Sequence, residues 1–207
     1  MRILVTGGPT REHIDGVRFL SNGSTGLMGV EVAKAAAAAG HEVVLVLGPT
    51  HLHLRRDPRI TVKNVVSGLD MLAACRESWP RCDALVAAAA VSDYRPAAPR
   101  EGKPEKTGGP VTLDLVPNPD ILAELAATKA RRRVVGFALQ IEDAEARARR
   151  KLLAKNLDAV VLDGPSALGA TRADFRMLLA NGQVFTFPAA TKTEVAQAIV
   201  EFLFAAT

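Results

Sequence analysis

Apolar positions along the chain fall into short blocks, and each block marks an element. Residues 2–6 form a brief apolar run that stops at Gly7-Gly8-Pro9, the pattern of a buried strand. Residues 24–39 read as a helix with Gly40 as its stop. Residues 42–47 form a second strand closed by Gly48-Pro49, and residues 60–65 a third. A helix over 68–79 leads to a fourth strand at 84–88. A short helix at 120–128, a strand at 134–138, a helix at 143–156 and a strand at 159–162 follow. Strands interleaved with helices of this length predict an α/β fold, a doubly wound, mostly parallel, Rossmann-like sheet with right-handed crossovers. The end of the chain changes pattern. Residues 176–180 and 183–187 flank Asn181-Gly182, the signal of a two-residue hairpin turn. Thr191 and Glu194 then have capping-box spacing, and Val195, Ile199, Phe202 and Leu203 give a closing helix one apolar face.

Two stretches are too long to be plain connectors, residues 7–23 and residues 92–119. Connections in compact α/β units usually run about 2–6 residues, and longer ones tend to carry function. Both begin at the carboxyl end of a predicted strand, where open α/β sheets bind ligands. The expected organisation is a single domain over 1–207, with a Pro-, Gly- and Lys-containing flap at about 92–119.

Composition narrows the classes. The hydrophobic share of 48% and charged share of 23% are ordinary for a globular domain, and no apolar run reaches a membrane span. The strand pattern begins at Arg2 with no signal peptide before it, so a cytoplasmic protein is expected. Cys75 and Cys82 read as buried, reduced thiols; a metal site needs more ligands nearby. The net charge of +4 suits anionic small molecules, whereas aromatics at 4% argue against stacking platforms for nucleic acid.

Four places can carry chemistry. The first is Ser21-Asn22-Gly23-Ser24-Thr25-Gly26-Leu27-Met28-Gly29, where small residues and a helix start can admit an anion. Glycine spacing alone supports a cap with close helix–strand packing equally well. The second is Ala87-Ala88-Ala89-Ala90-Val91-Ser92-Asp93, a strand end with room for a flat ring or sugar and a carboxylate, or else a tightly packed strand and turn. The third is Arg100, Lys103 and Lys106 in the flap, lysines able to close over phosphates or simply to face solvent. The fourth is Lys151 and Lys155, on one face of a helix at i and i+4. His51-x-His53 reads as an exposed loop pair. A nicotinamide-dependent reductase is disfavoured. Its glycine loop would directly follow the first strand, its ribose-binding acid would end the second, and a Tyr would stand four residues before a Lys. The chain has Val46-Leu47-Gly48-Pro49 at the second position, and Tyr94 is followed at 98 by Ala.

These candidates occur together, in order, in one family. Gly8-Pro9-Thr10-Arg11-Glu12 with Asp15, Val17-Arg18, Ser21-Asn22, Ser24, Gly26 and Met28-Gly29 resembles the opening signature of phosphopantothenate–cysteine ligases. Ala89-Ala90-Val91 with Asp93-Tyr94-Arg95-Pro96 resembles the second motif, and Pro104-Glu105-Lys106 the flap lysine motif. Asn118-Pro119-Asp120-Ile121-Leu122, Val135-Gly136-Phe137-Ala138, and Lys151 with Lys155-Asn156-Leu157-Asp158 complete the likeness. The resemblance implies a CTP- and magnesium-dependent ligase of coenzyme A biosynthesis. It joins 4′-phosphopantothenate to L-cysteine through an acyl-cytidylate and releases CMP and pyrophosphate. It implies that Asn22 holds the pantothenate part and Lys106 reaches over the phosphates. It implies nucleotide contacts from Ser24, Gly26, Ala87, Ala88, Ala89, Asp93, Asn118, Pro119, Asp120, Ile121, Phe137, Lys151 and Lys155. It also implies a homodimer in which the flap completes the neighbour's site. Many bacterial relatives carry an N-terminal flavin-dependent decarboxylase; with none in this sequence, a stand-alone ligase or processed half is expected, with a possible separate decarboxylase partner and no flavin here. The chain departs from the family pattern at Leu139-Gln140, at Thr107-Gly108-Gly109, at Asp163-Gly164 and at Ala173-Asp174-Phe175-Arg176. A non-catalytic nucleotide-binding relative is the alternative those departures favour.

Overall fold

A computed structural model describes residues 1–103, 105, 108–139, 143–164, 167 and 169–205. Its centre is an eight-stranded sheet. In chain order the sheet strands are β1 (Arg2–Gly7), β4 (Glu42–Leu47), β5 (Ile60–Asn64), β6 (Ala84–Ala87), β9 (Arg133–Leu139), β10 (Ala159–Asp163), β11 (Arg172–Leu179) and β12 (Val184–Thr191). Two short pairs stand apart from it, β2 (Arg11–His13) with β3 (Phe19–Ser21), and β7 (Tyr94–Pro96) with β8 (Leu115–Pro117). The helices are α1 (Leu27–Ala38), α2 (Gly68–Ser78), α3 (Ile121–Ala127), α4 (Ala144–Ala154) and α5 (Lys192–Phe204). Strand order across the sheet is β12-β11-β10-β9-β6-β1-β4-β5, parallel throughout except at β11 and β12.

Both faces of the parallel strands are covered, which is why they read as continuous apolar runs rather than alternating ones. Ile3, Val5, Val43 and Leu45 point to one face, under Val32 and Ala36 of α1 and Val195 and Ile199 of α5. Leu4, Val44, Val46 and Leu85 point to the other, under Met71 and Cys75 of α2, Leu125 of α3 and Leu152 of α4. Cys75 and Cys82 are free and buried, as expected. Burial pushes the Cys75 thiol up to about 12, so it stays protonated and inert.

Three expectations need correction. The first helix begins at Leu27, not 24, because its N-cap Gly26 adopts φ 84, a left-handed conformation that a helix cannot include. The segment 7–23 is not loop throughout: Arg11 pairs with Ser21 in the β2–β3 hairpin, whose turn is tied by Asp15. The C-terminal hairpin is longer than two apolar runs suggested, with Leu178 opposite Val184 as the last paired residues. Its turn spans more than Asn181-Gly182, closed by the Leu179 amide donating to the Gln183 carbonyl at 2.9 Å. The Thr191–Glu194 capping box is present.

Candidate active site

From β1 the chain leaves through α1 to β4 on one side; from β6 it leaves through α3 to β9 on the other. The carboxyl ends of β1 and β6 therefore diverge, and this switch point is where doubly wound sheets hold ligands. The two strands stay joined past the sheet. The Ala88 amide donates to the Thr6 carbonyl at 3.1 Å, Ala90 to Gly8 at 3.0 Å, and Thr10 to Ala90 at 3.2 Å. Thr10, fully buried, receives the Ser92 amide on its hydroxyl at 3.0 Å, and the Ser21 hydroxyl donates to its carbonyl at 2.7 Å. Asn22 lies across this junction, its Nδ2 donating to the Ala90 carbonyl at 2.8 Å.

Beside the junction, on the α2–α3–α4 face, is a cavity of about 300 Å³. Ala87 and Ala89 form its floor and Phe137 its side, while Asp93, Asn118, Pro119, Asp120 and Ile121 line one wall and Lys151 and Lys155 another. The strand alternation explains the floor: 87 and 89 point to this face, and Ala88 points to the other. The wall is fixed by the second long segment. Asn118 donates its amide N–H to the Asp93 carbonyl and its side-chain Nδ2 to the Ser92 carbonyl, each at 2.8 Å. Asp120 caps α3, accepting the Ala123 amide at 2.9 Å, and pairs with Lys155 at 2.5 Å. Burial opposes ionisation of Asp120, but the Lys155 ammonium and the Ala123 amide outweigh it, so its carboxyl titrates below the ordinary value. Lys151 is half-buried and donates to the Phe137 carbonyl at 2.5 Å. Burial first, and the neighbouring Lys155 second, pull its pKa down, against Asp120 and Asp93. The cavity thus combines an apolar, flat-sided floor with two ammonium groups at one end.

On the opposite face a smaller cavity, about 180 Å³, is lined by Ser24, Gly26, Ala88, Asp163 and Lys192 and shares Ala89 and Phe137 with the first. So the expected nucleotide residues divide: Ala87, Ala89, Asp93, Asn118 to Ile121, Phe137, Lys151 and Lys155 face one cavity, while Ser24, Gly26 and Ala88 face the other. Lys106, Thr107 and Gln140 lie outside the described residues. Sequence reasoning gave no role to Thr6, Thr10, Glu12 or Lys192. Thr6 Oγ accepts the Ala89 amide at 3.3 Å, and buried Glu12 accepts the Gly68 amide at the start of α2 at 2.9 Å. The available signal for the first three was polarity next to Gly-rich turns; Lys192 offered none.

The profile of the DNA/pantothenate metabolism flavoprotein C-terminal domain family matches residues 1–206. The chain belongs to this family. The likeness to phosphopantothenate–cysteine ligases seen in the motifs is therefore upheld. Among curated relatives, the coenzyme A biosynthesis bifunctional protein CoaBC of Vibrio cholerae serotype O1 is 43% identical over 171 residues. That alignment takes in 81% of this chain and 42% of the relative. A cysteine/cysteine sulfinic acid decarboxylase from an unknown prokaryotic organism is 39% identical over 204 residues, 96% of this chain and 56% of that protein. The chain thus spans about half the length of these relatives or less. Among solved structures, the C-terminal domain of a CoaBC superposes with TM-score 0.83 at 35% identity, covering 97% of this chain and 92% of that one. The Streptococcus pneumoniae member of the family superposes with TM-score 0.86 at 25% identity, covering 99% of each. A Cab2 mutant in complex with phosphopantothenate-cysteine shares the fold, with TM-score 0.76 at 15% identity, covering 97% of this chain and 85% of that one.

Proposed function

We propose that this family domain joins 4′-phosphopantothenate to L-cysteine at the expense of CTP. The observation that carries the reading is the gathering of Asp93, Asn118 to Ile121, Phe137, Lys151 and Lys155, drawn from four separate stretches of sequence, around one cavity at the switch point. The convergence of these motif residues on one cavity supports a common ligand for them. In the first step a carboxylate oxygen of the acid bonds to the α-phosphorus, the bond to the β-phosphate breaks, and pyrophosphate leaves. In the second, the cysteine nitrogen bonds to the acyl carbon, the acyl–phosphate C–O bond breaks, CMP leaves, and the ammonium protons pass to water. Neither step requires a protein nucleophile; both require alignment and charge compensation. Lys151 and Lys155 supply positive charge at the end of the cavity. Asn22 spends one N–H on Ala90, leaving a second N–H and its Oδ1 to orient the acyl group.

Among the described residues no cluster of three or more His, Cys, Asp or Glu could cage a metal. Magnesium fits here as an ion carried by the triphosphate, which commonly takes only one or two protein carboxylates. Asp93 lines the cavity and would hold it. The ion would neutralise charge on the departing pyrophosphate. Lys106, from the flap, would add to that. A homodimer with flap exchange is part of the same proposal.

The test is pyrophosphate release by the purified protein with magnesium, CTP or ATP, 4′-phosphopantothenate and cysteine, beside Asn22→Asp. Release that needs every substrate, with amide formation impaired in the variant, is the expected result. Folded protein that binds CTP and releases nothing with either nucleotide would sink the ligase reading in favour of a relative that kept only the pocket.

A further inference from the structure

Asn22 faces a third cavity, on the side away from the nucleotide cavity. It measures about 390 Å³ and lies between the β2–β3 hairpin and the segment after β4. Its lining carries one arginine, Arg11, with His51, Asn22 and the hydroxyl residues Ser21, Ser24, Thr25 and Thr50, and its apolar wall includes Phe19 and Leu52. Arg11 and Ser21 are opposite each other in the hairpin register, so the Arg11 side chain starts one residue from Asn22. Its guanidinium carbon sits 4.6 Å from the centroid of the Phe19 ring, which holds the flat group against the cavity wall. Among the described residues no carboxylate pairs with Arg11, although arginines elsewhere in the chain pair with Asp15, Glu124 and Glu145. The far wall is fixed as well: Thr50 Oγ donates to the Thr25 carbonyl at 2.7 Å and accepts the Leu52 amide at 3.1 Å.

The proposed reaction needs a place from which the amine can reach the acyl carbon. The nucleotide takes the cavity over Ala87 and Ala89, the acyl group lies at Asn22, and the amine must reach the acyl carbon without crossing either. We propose that the Arg11 cavity is the subsite of the amine substrate, a small α-amino acid whose carboxylate is held by Arg11. This inference rests on the ligase reading. A single half-buried guanidinium matches a singly charged, planar carboxylate in a two-point contact. With the carboxylate on Arg11, the amine points back toward Asn22 and the side chain lies along Phe19 and Leu52. The nitrogen forms the amide bond as the nucleoside monophosphate leaves, its protons going to water.

The experiment compares L-cysteine with cysteamine, which has the same amine and thiol but no carboxylate. Wild type, Arg11→Gln and Arg11→Lys are each assayed for amide formation and for exchange of labelled pyrophosphate into CTP with phosphopantothenate alone. Arg11→Gln is expected to raise the KM for cysteine at least tenfold and to leave the cysteamine reaction and the exchange near wild type. The preference for cysteine over cysteamine then collapses, and Arg11→Lys recovers part of it. An unchanged cysteine KM, or equal losses with both amines, overturns the subsite while leaving the ligase reading intact. Absence of exchange in the wild type overturns the ligase reading instead. Calorimetry then decides the subsite: cysteine binding that cysteamine does not match and Arg11→Gln abolishes upholds it, and no such binding overturns it too.

Discussion

Two carboxylates show how differently this chain treats the same group. The Asp15 side chain is fully enclosed and accepts the Arg18 amide at 2.7 Å, the Arg18 guanidinium and the Val17 amide. Those bonds, the Arg18 amide foremost, hold its carboxyl down at about 2. Asp163 is half-buried, and burial lifts its carboxyl to about 6, with the Lys192 charge only partly offsetting it. The linkage signs are opposite. Asp15 contributes stability that is complete above the unfolded-state value of 3.8 and is lost as pH falls toward 2. Asp163 stays protonated in the folded chain while the unfolded chain ionises, so stability declines as pH rises from 3.8 to about 6 and stays lower above. Asp163→Asn is therefore expected to raise Tm at pH 8 and leave it near wild type at pH 4, by about 2–4 °C per kcal/mol for a chain of this size. Thermal melts at the two pH values check this; an equal shift at both contradicts it. Lys151 supplies a third case. Because burial and Lys155 lower its pKa, its ammonium is lost at a pH below the ordinary 10.5. CTP affinity, measured by calorimetry across pH, should fall on the alkaline side before that value. In Lys151→Met it should be weaker by about tenfold at neutral pH, the worth of one charge-assisted contact, with the alkaline fall removed.

At the scale of elements, the contact between β1 and α1 sets how close the site loops can come. A Cβ on Gly29 would stand 2.7 Å from the Gly7 Cα and 3.0 Å from the Thr6 carbonyl oxygen, both backbone atoms that cannot rotate away. Gly29→Ala should push α1 off β1 and cost about 1–3 kcal/mol, the range for overpacking; urea melts give the number, and a change under 0.5 kcal/mol would contradict it. Much of this layer was legible in the sequence. The apolar runs of β1, β4 and β10 are long, buried on both faces and bounded by glycine or polar residues, so burial and periodicity agree. The β2–β3 and β7–β8 pairs were not legible. Each strand has only three residues, too few to show a period, and buries little of its apolar side; the pairs are held by Asp15, by the Gly16 amide on the Gly102 carbonyl at 2.9 Å, and by Arg95 on the Pro117 carbonyl. The last two contacts are long-range in sequence and leave no local pattern. The same holds for the site. Asp93, Lys151 and Lys155 could be proposed from motifs, but the shared use of Ala89 by two cavities on opposite faces follows only from strand alternation at the switch point.

At the scale of the molecule, exposed apolar residues lie in and beside the small strand pairs: Val17 in the β2–β3 turn at 59%, Tyr94 of β7 at 54% and Val111, ahead of β8, at 71% accessible. The proposed homodimer would cover such a surface. Sedimentation velocity should then give about twice the 21.9 kDa chain mass, and Val111→Asp should shift the protein toward monomer; a wild-type monomer at micromolar concentration contradicts the dimer.

The continuation of β1 and β6 beyond the sheet, tied by the Gly8, Thr10 and Ala90 backbone, is a low ridge between two basins. Its crest is methyl-sized, Ala88 through Ala90, and among the described residues the basins share Ala89 and Phe137. An elongated molecule resting in both must arch over the crest like a rope over a saddle. Whatever bond lies at the top is presented to open space on the Asn22 side while its two ends stay anchored below. In the proposed reaction the topology of a doubly wound sheet would thereby lift one short stretch of a long, charged ligand into reach and leave the rest shielded from attack.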